Sequence, residues 1–191
     1  MYQDAIRQQG IERRQALSAD EHARLSTRVC TQLREHFPQL AQKRVAFCWP
    51  INNEPDLRPL IAAWIESNSG GFTALLPVVQ SPKAPLAFRV WTPTSEMAAD
   101  RYGIPTPVTG EFQIPEALLI PLNGFDAAGY RIGYGGGFFD RTLAAFNAAL
   151  SPPPLSLGVG FELSRVDTTR PQAHDVRLDG IVTEAGAFMS K

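Results

Sequence analysis

The chain has 191 residues, 44% apolar and 19% charged, with a formal net charge of −1. That is enough for one domain spanning 1–191 with a sizeable core, and short for two. Near-neutrality gives no overall sign of a nucleic-acid partner, the apolar runs are too short to cross a bilayer, and the polar opening segment is unlike a signal peptide. The charge is uneven: up to Arg44 there are eight Lys/Arg against five Asp/Glu, and ten against fourteen thereafter. The basic opening segment could supply cations to an anionic ligand or form a solvated helix face. Cys30 and Cys48 match no metal or redox spacing. Cys48 lies in an apolar run and is expected to be buried, in a reduced, cytoplasmic setting.

In chain order, residues 4–17 read as a helix weakened by Gly10. Ser18-Ala-Asp-Glu21 is a capping box that starts a second helix, with Leu25, Val29, Leu33 and Phe37 on its buried side. Residues 44–49 predict a strand and 50–56 a loop. Leu57, Leu60, Ile61, Trp64 and Ile65 form a helical stripe. Strands are predicted at 72–76, ending at Pro77, and at 86–91. Residues 102–107 predict an extended loop, because proline disfavours helix in the residue before it. Further strands are predicted at 117–120, 155–161 and 178–183, with a stiff linker at 152–154. Strands alternating with helices argue for an α/β fold, a mostly parallel sheet covered on both faces. Ligands of such sheets bind beyond the carboxyl ends of the strands, where the 52–56 loop would lie.

The most informative stretch is Arg131-Ile-Gly-Tyr-Gly-Gly-Gly-Phe-Phe-Asp-Arg141. Four glycines (Gly133, Gly135, Gly136, Gly137) precede a helical pattern of Phe139, Leu143, Phe146 and Leu150. Glycines before a helix start let backbone N–H groups converge on an anion, and the helix dipole adds to the attraction. A tight turn would need one or two glycines; four behind an arginine suit a phosphate chain better. The spacing is neither a Walker A loop nor the Rossmann pattern, so it does not name the nucleotide. Asp140 falls in the first helical turn, where it complements the dipole or, beside polyphosphate, holds a bridging Mg²⁺. Asp175 is the second carboxylate candidate, or a turn residue. Glu54 is either a solvated loop residue or an acceptor for a heterocycle. Arg7 and Arg14 share one helix face that could clamp phosphates or lie in solvent. His22, His36 and His174 have no metal spacing, and no serine or cysteine carries a nucleophile signature.

The segment from Ile120-Pro-Leu-Asn-Gly-Phe125-Asp to Gly-Gly-Gly-Phe-Phe-Asp140-Arg resembles the signature of the 5-formyltetrahydrofolate cyclo-ligases, also called methenyltetrahydrofolate synthetases. Ile6-Arg7 through Arg14 to Ser18, Asn53-Glu54-Pro-Asp56, Gly103 to Pro107, Pro171 to Asp175 and Leu178 to Glu184 fall in the family's order. The resemblance implies a three-layer α/β/α fold similar to the ribose-5-phosphate isomerase and CoA-transferase group. It implies reduced folate and ATP as substrates, Mg²⁺ as cofactor, and a monomer or dimer without nucleic-acid or membrane partners. It places Gln3, Arg7, Arg14, Arg131, Ile132, Gly133, Tyr134, Gly135, Gly136, Gly137, Phe138 and Phe139 at ATP, with Arg131 catalytic. It places Trp49, Glu54, Tyr102, Tyr134, Gly135, Gly136, Gly137 and Phe138 at the folate, and Asp140 and Asp175 at Mg²⁺. The chain departs from the family pattern at Gln3, usually lysine, at Phe138-Phe139, commonly tyrosines, and at Tyr102, a tryptophan or phenylalanine in relatives. Two other readings are a folate- or nucleotide-binding protein without turnover, and a sugar-phosphate isomerase or acyl-CoA transferase on the same scaffold.

Overall fold

In the computed structural model, which describes residues 2–67 and 71–190, the elements run α1 (Tyr2–Gln15), α2 (Ala19–His36), β1 (Arg44–Ala46), α3 (Arg58–Ser67), β2 (Thr73–Val78), β3 (Ala87–Trp91), β4 (Met97–Ala99), β5 (Pro105–Pro107), β6 (Ala117–Pro121), β7 (Gly124–Phe125), β8 (Arg131–Ile132), α4 (Phe138–Ala149), β9 (Leu155–Val159), β10 (Gly180–Thr183) and β11 (Gly186–Met189). The main sheet has the order β11-β10-β9-β6-β1-β2-β3. Its five central strands are mutually parallel, and β3 and β11 close its edges antiparallel.

Alternation along the central strands decides the layers, since successive side chains point to opposite faces. Val45, Ala74, Leu76, Ala117, Leu119, Leu157 and Val182 pack with Val29 and Leu33 of α2 and with Leu60, Ile61 and Trp64 of α3. Ala46, Leu75, Leu118, Ile120 and Ile181 pack on the other side with Leu143 of α4. The result is a three-layer α/β/α arrangement. The capping box forms at α2: the Ser18 hydroxyl accepts from the Glu21 N–H, and the Glu21 carboxylate accepts from the Ser18 N–H. Leu25 is only partly buried, and Ser26 and Cys30 take up the inner face instead.

α1 belongs to neither face. It packs on the β7–β8 hairpin and the 3-10 turn at Glu162–Ser164, beyond the carboxyl ends of β6 and β9. Gly10 is what lets it come so close: a Cβ there would sit 1.8 Å from the Asn123 carbonyl oxygen. The glycine read as a weakness of the helix is therefore its docking surface.

Four sequence expectations need correcting. β2 runs through Pro77 and does not end there. Pro77 pairs only with Phe88 of β3, because β1 stops opposite Leu75, so its missing N–H breaks no second ladder. Residues 105–107, expected as loop, are extended but pair antiparallel with 97–99 as a small hairpin. The strand expected at 44–49 pairs regularly only to Ala46, with Phe47 adding one bond from its N–H to the Leu75 carbonyl. Cys48 is half-buried as a residue, although its thiol is enclosed.

Candidate functional site

The loops at the carboxyl ends of β1 and β6, together with α1, converge on one place. After β1 the chain turns through Asn52 and Asn53, both left-handed at φ 48° and 54°, a conformation asparagine tolerates better than most residues. The Glu54 N–H then bonds back to the Ile51 carbonyl, and the Ile51 N–H donates to Glu54 Oε2 at 3.1 Å. This turns the Glu54 carboxylate inward, leaving the residue 3% exposed. Its second oxygen accepts from the Tyr134 hydroxyl at 2.7 Å. The His22 ring meets the Glu54 carbonyl at 2.8 Å, so α2 also braces the loop. Burial pushes the Glu54 carboxyl above the usual range, opposed by the Tyr134 and Ile51 hydrogen bonds and the Arg14 charge.

Arg14 is fully buried. Its Nε donates to the Asn52 carbonyl (3.1 Å), Nη1 to the Leu122 carbonyl (2.8 Å) and Nη2 to the Tyr134 hydroxyl (3.1 Å). A solvated helix face does not describe it. It fastens α1 to both strand-end loops, and its charge is linked to Glu54 through the Tyr134 hydroxyl. Burial, then the Glu54 charge, raises the Tyr134 hydroxyl above its ordinary value. Arg7, one face-repeat earlier, donates from Nε to the Gly133 carbonyl at 2.7 Å and pairs with Asp4. Its guanidinium lies directly against Gly135.

The glycine loop starts from the β7–β8 hairpin, which fixes Arg131. Gly135 (φ 88°) and Gly137 (φ 64°) are left-handed, and Gly137 is the N-cap of α4. None of the backbone N–H groups from Tyr134 to Asp140 has a hydrogen-bond partner among the described residues. A run of free donors at a helix N-terminus, exposed from Tyr134 to Gly136, is the arrangement that binds phosphate oxygens. Two guanidinium groups border it. Arg131, 8% exposed, pairs with Asp140 at 3.2 Å. Arg141 donates from Nη2 to the Gly136 carbonyl at 2.7 Å and lies over the Phe138 ring. The Nε of each is buried without a partner among the described residues.

Asp140 accepts from Arg131 on one oxygen and from the Val176 N–H on the other (3.2 Å), so its carboxylate lies against the segment that carries Asp175. Asp175 accepts from the Gln172 N–H (2.8 Å) and from Gln3 Nε2 (3.2 Å). Gln3 also donates toward the Thr169 and Arg170 carbonyls and so ties the start of α1 to this loop. No group of three or more His, Cys, Asp or Glu side chains suited to a metal occurs among the described residues. A magnesium ion arriving with polyphosphate needs only one or two protein carboxylates, and Asp140 and Asp175 are the candidates.

Tyr102, on the turn between β4 and β5, reaches the loop, its ring edge-on to Phe138 at 6.0 Å. The Phe139 ring lies under the Arg131 guanidinium at 5.6 Å. Trp49 packs edge-on to Trp91 and under Arg58, whose guanidinium pairs with Asp56 of the same loop. The structure thus brings Gln3, Arg7, Arg14, Glu54, Tyr102, Arg131 to Asp140 and Asp175 together, with Trp49 at the margin. Sequence reasoning missed Arg141, Asn52 and His22. Arg141 carried a usable signal, a cation one residue after Asp140; Asn52 and His22 act through long-range contacts that no local pattern encodes. Burial pushes the Cys30 thiol up to about 11 and the Cys48 thiol higher still, so neither is a ready nucleophile.

The profile of the 5-formyltetrahydrofolate cyclo-ligase family matches residues 2–184. The chain is 28% identical over 179 residues to the 5-formyltetrahydrofolate cyclo-ligase of Escherichia coli K12, covering 90% of this chain and 94% of that one. It is 26% identical over 185 residues to the Mycoplasma pneumoniae cyclo-ligase, covering 96% and 99%. The NMR structure of Aquifex aeolicus 5,10-methenyltetrahydrofolate synthetase superposes with a TM-score of 0.83 at 28% identity, covering 100% of this chain and 94% of that one. The structure of the Mycoplasma pneumoniae synthetase superposes with a TM-score of 0.76 at 24% identity, covering 96% of this chain and 99% of that one, a likeness of fold.

Proposed function

The chain belongs to the 5-formyltetrahydrofolate cyclo-ligase family, and from that premise we propose that it closes 5-formyltetrahydrofolate to 5,10-methenyltetrahydrofolate, converting ATP to ADP and phosphate. The observation that supports this reading best is the run of free N–H groups from Tyr134 to Asp140, joined by one hydrogen bond to the buried acceptor Glu54. A phosphate chain on the loop and a heterocycle at Glu54 would lie one tyrosine side chain apart.

In this reading Ile132 to Phe139 cradle the ATP phosphates through their backbone, with Arg7 and Arg131 supplying charge and Gln3 and Arg14 holding the cradle in place. Glu54 accepts hydrogen bonds from the pterin. Trp49, Tyr102, Tyr134, Phe138 and the glycines of the loop line the folate site. Asp140 and Asp175 suit Mg²⁺, which would neutralise phosphate charge when bound. The formyl oxygen attacks the γ-phosphorus and ADP departs, leaving the formyl carbon activated. The neighbouring amine nitrogen on the p-aminobenzoyl side attacks that carbon and closes the five-membered ring. The C–O bond then breaks, phosphate leaves, and the amine proton is lost, giving the conjugated methenyl cation. Arg131 is read as the catalytic residue: its guanidinium borders the glycine loop, where its charge would offset the negative charge that builds on the transferring phosphoryl group. No protein nucleophile is required; positioning and charge neutralisation carry the rate.

The test is absorbance in the methenyltetrahydrofolate band with purified protein, 5-formyltetrahydrofolate, Mg²⁺ and ATP. Growth of the band only when all are present supports the reading. Folate binding without product favours a binding protein on this scaffold and sinks it.

A further inference from the structure

Glu54 is the acceptor assigned to the folate, yet it is 3% exposed, so no ligand reaches its carboxylate as the protein stands. Something must move. The Ile51 N–H on Oε2 is backbone within the Glu54 turn itself. Arg14, close behind, is fully buried and held by two backbone carbonyls as well as by Tyr134. Tyr134 differs. It is 40% exposed, lies between Gly133 and Gly135, and sits in the loop whose N–H groups have no partner among the described residues. Its hydroxyl is the hinge of the cluster, donating to Glu54 at 2.7 Å and accepting from Arg14 at 3.1 Å and from Asn52 at 3.5 Å.

We propose that Tyr134 closes Glu54 in the free protein, that the reduced folate must displace it, and that this displacement frees the glycine loop to close on ATP, so that Tyr134 couples the two substrate sites. The inference rests on the folate and ATP assignments above. Whichever substrate binds first bears the cost of breaking the Tyr134–Glu54 bond, and the second binds a loop already released. Such a shared step makes binding cooperative, and linkage makes the effect equal in both directions. Tyr134 is thus a positioning residue that acts through the loop.

The experiment is a binding cycle on the full chain by calorimetry, using a non-hydrolysable ATP analogue with Mg²⁺ and 5-formyltetrahydrofolate. In the wild type, saturating folate tightens the analogue about tenfold, equivalent to about 1.4 kcal/mol. In Tyr134→Phe the analogue binds equally with and without folate, within about twofold. A protein merely loosened by the substitution would bind both ligands more weakly and keep the coupling. No coupling in the wild type, or unchanged coupling in Tyr134→Phe, overturns the proposal while leaving the activity intact. If the wild type binds no folate at all, the activity itself falls with it. A second measurement avoids the variant: 3-fluorotyrosine placed at position 134 alone should give a fluorine resonance that shifts on adding folate without nucleotide. An unmoved resonance overturns the proposal.

Discussion

Gly10→Ala sets two rules against each other. In an exposed helix interior the change would stabilise by about 1 kcal/mol, because alanine is the better helix former. Here the added Cβ would lie 1.8 Å from the Asn123 oxygen, 2.8 Å from its carbonyl carbon and 3.4 Å from its Cα. All three are backbone atoms, so no rotamer change relieves the clash. α1 must withdraw by about 1.6 Å before the closest contact relaxes to the ordinary 3.4 Å. The Arg14 Nη1 bond to the neighbouring Leu122 carbonyl, 2.8 Å long, would not survive such a shift. Overpacking costs about 1–3 kcal/mol, and a lost hydrogen bond to a charged group about 1.5–3 kcal/mol. Set against the propensity gain, the net destabilisation is about 1.5–5 kcal/mol. Urea unfolding followed by far-UV circular dichroism reads it directly. Turnover should fall more steeply, by about a hundredfold in kcat/KM, since Arg7 moves with the helix and ångström misplacement has effects of that size. A variant as stable as the wild type, or more so, would refute the packing argument, whatever its activity.

Glu54→Gln should abolish folate turnover and remove a pH-dependent part of the stability. Burial raises the folded carboxyl pKa, so between the ordinary value near ~4.3 and the folded one the native state holds the proton more tightly. The stability this contributes is complete below the ordinary value and is lost as pH rises through the folded one, at up to about 1.4 kcal/mol per pH unit. The wild-type-minus-variant difference, measured by urea unfolding from pH 4 to 7, should therefore fall with pH; a flat or rising difference contradicts it. Asp140→Ala leaves the nearly buried Arg131 without its carboxylate and should lower stability by about 3 kcal/mol along with activity, measured by unfolding and turnover; an unchanged unfolding midpoint would show the pair to be dispensable. Arg141→Ala should raise the KM for ATP several-fold with little change in kcat or stability, because it removes the brace on the Gly136 carbonyl; an unchanged KM, read by steady-state kinetics, removes Arg141 from the site.

What could be read from residue order was what is encoded locally. The Ser18–Glu21 capping box closes within four residues, and the Leu60–Trp64 stripe and the glycine run before α4 depend on neighbours in sequence. Strand direction at the sheet edges was not legible, because β3 and β11 differ from the central strands only in which partner they meet. The two-residue strands β7 and β8 are too short to show a period, yet they aim Arg131. The burial of Arg14 and the close packing at Gly10 were not legible for the same reason: their environments are made by Leu122, Asn123 and Tyr134, more than a hundred residues away.

That separation has a consequence for how the molecule is made. α1 is synthesised well before the groups it bonds at Leu163, Thr169 and Asp175, which lie 150, 166 and 172 residues further along the chain. The sheet and its two helical layers draw their core from residues that do not include α1. Long-range closures come late because their loop entropy must be met before any contact repays it. The layered core can therefore form while α1 still lacks its partners, and the site closes only when α1 docks.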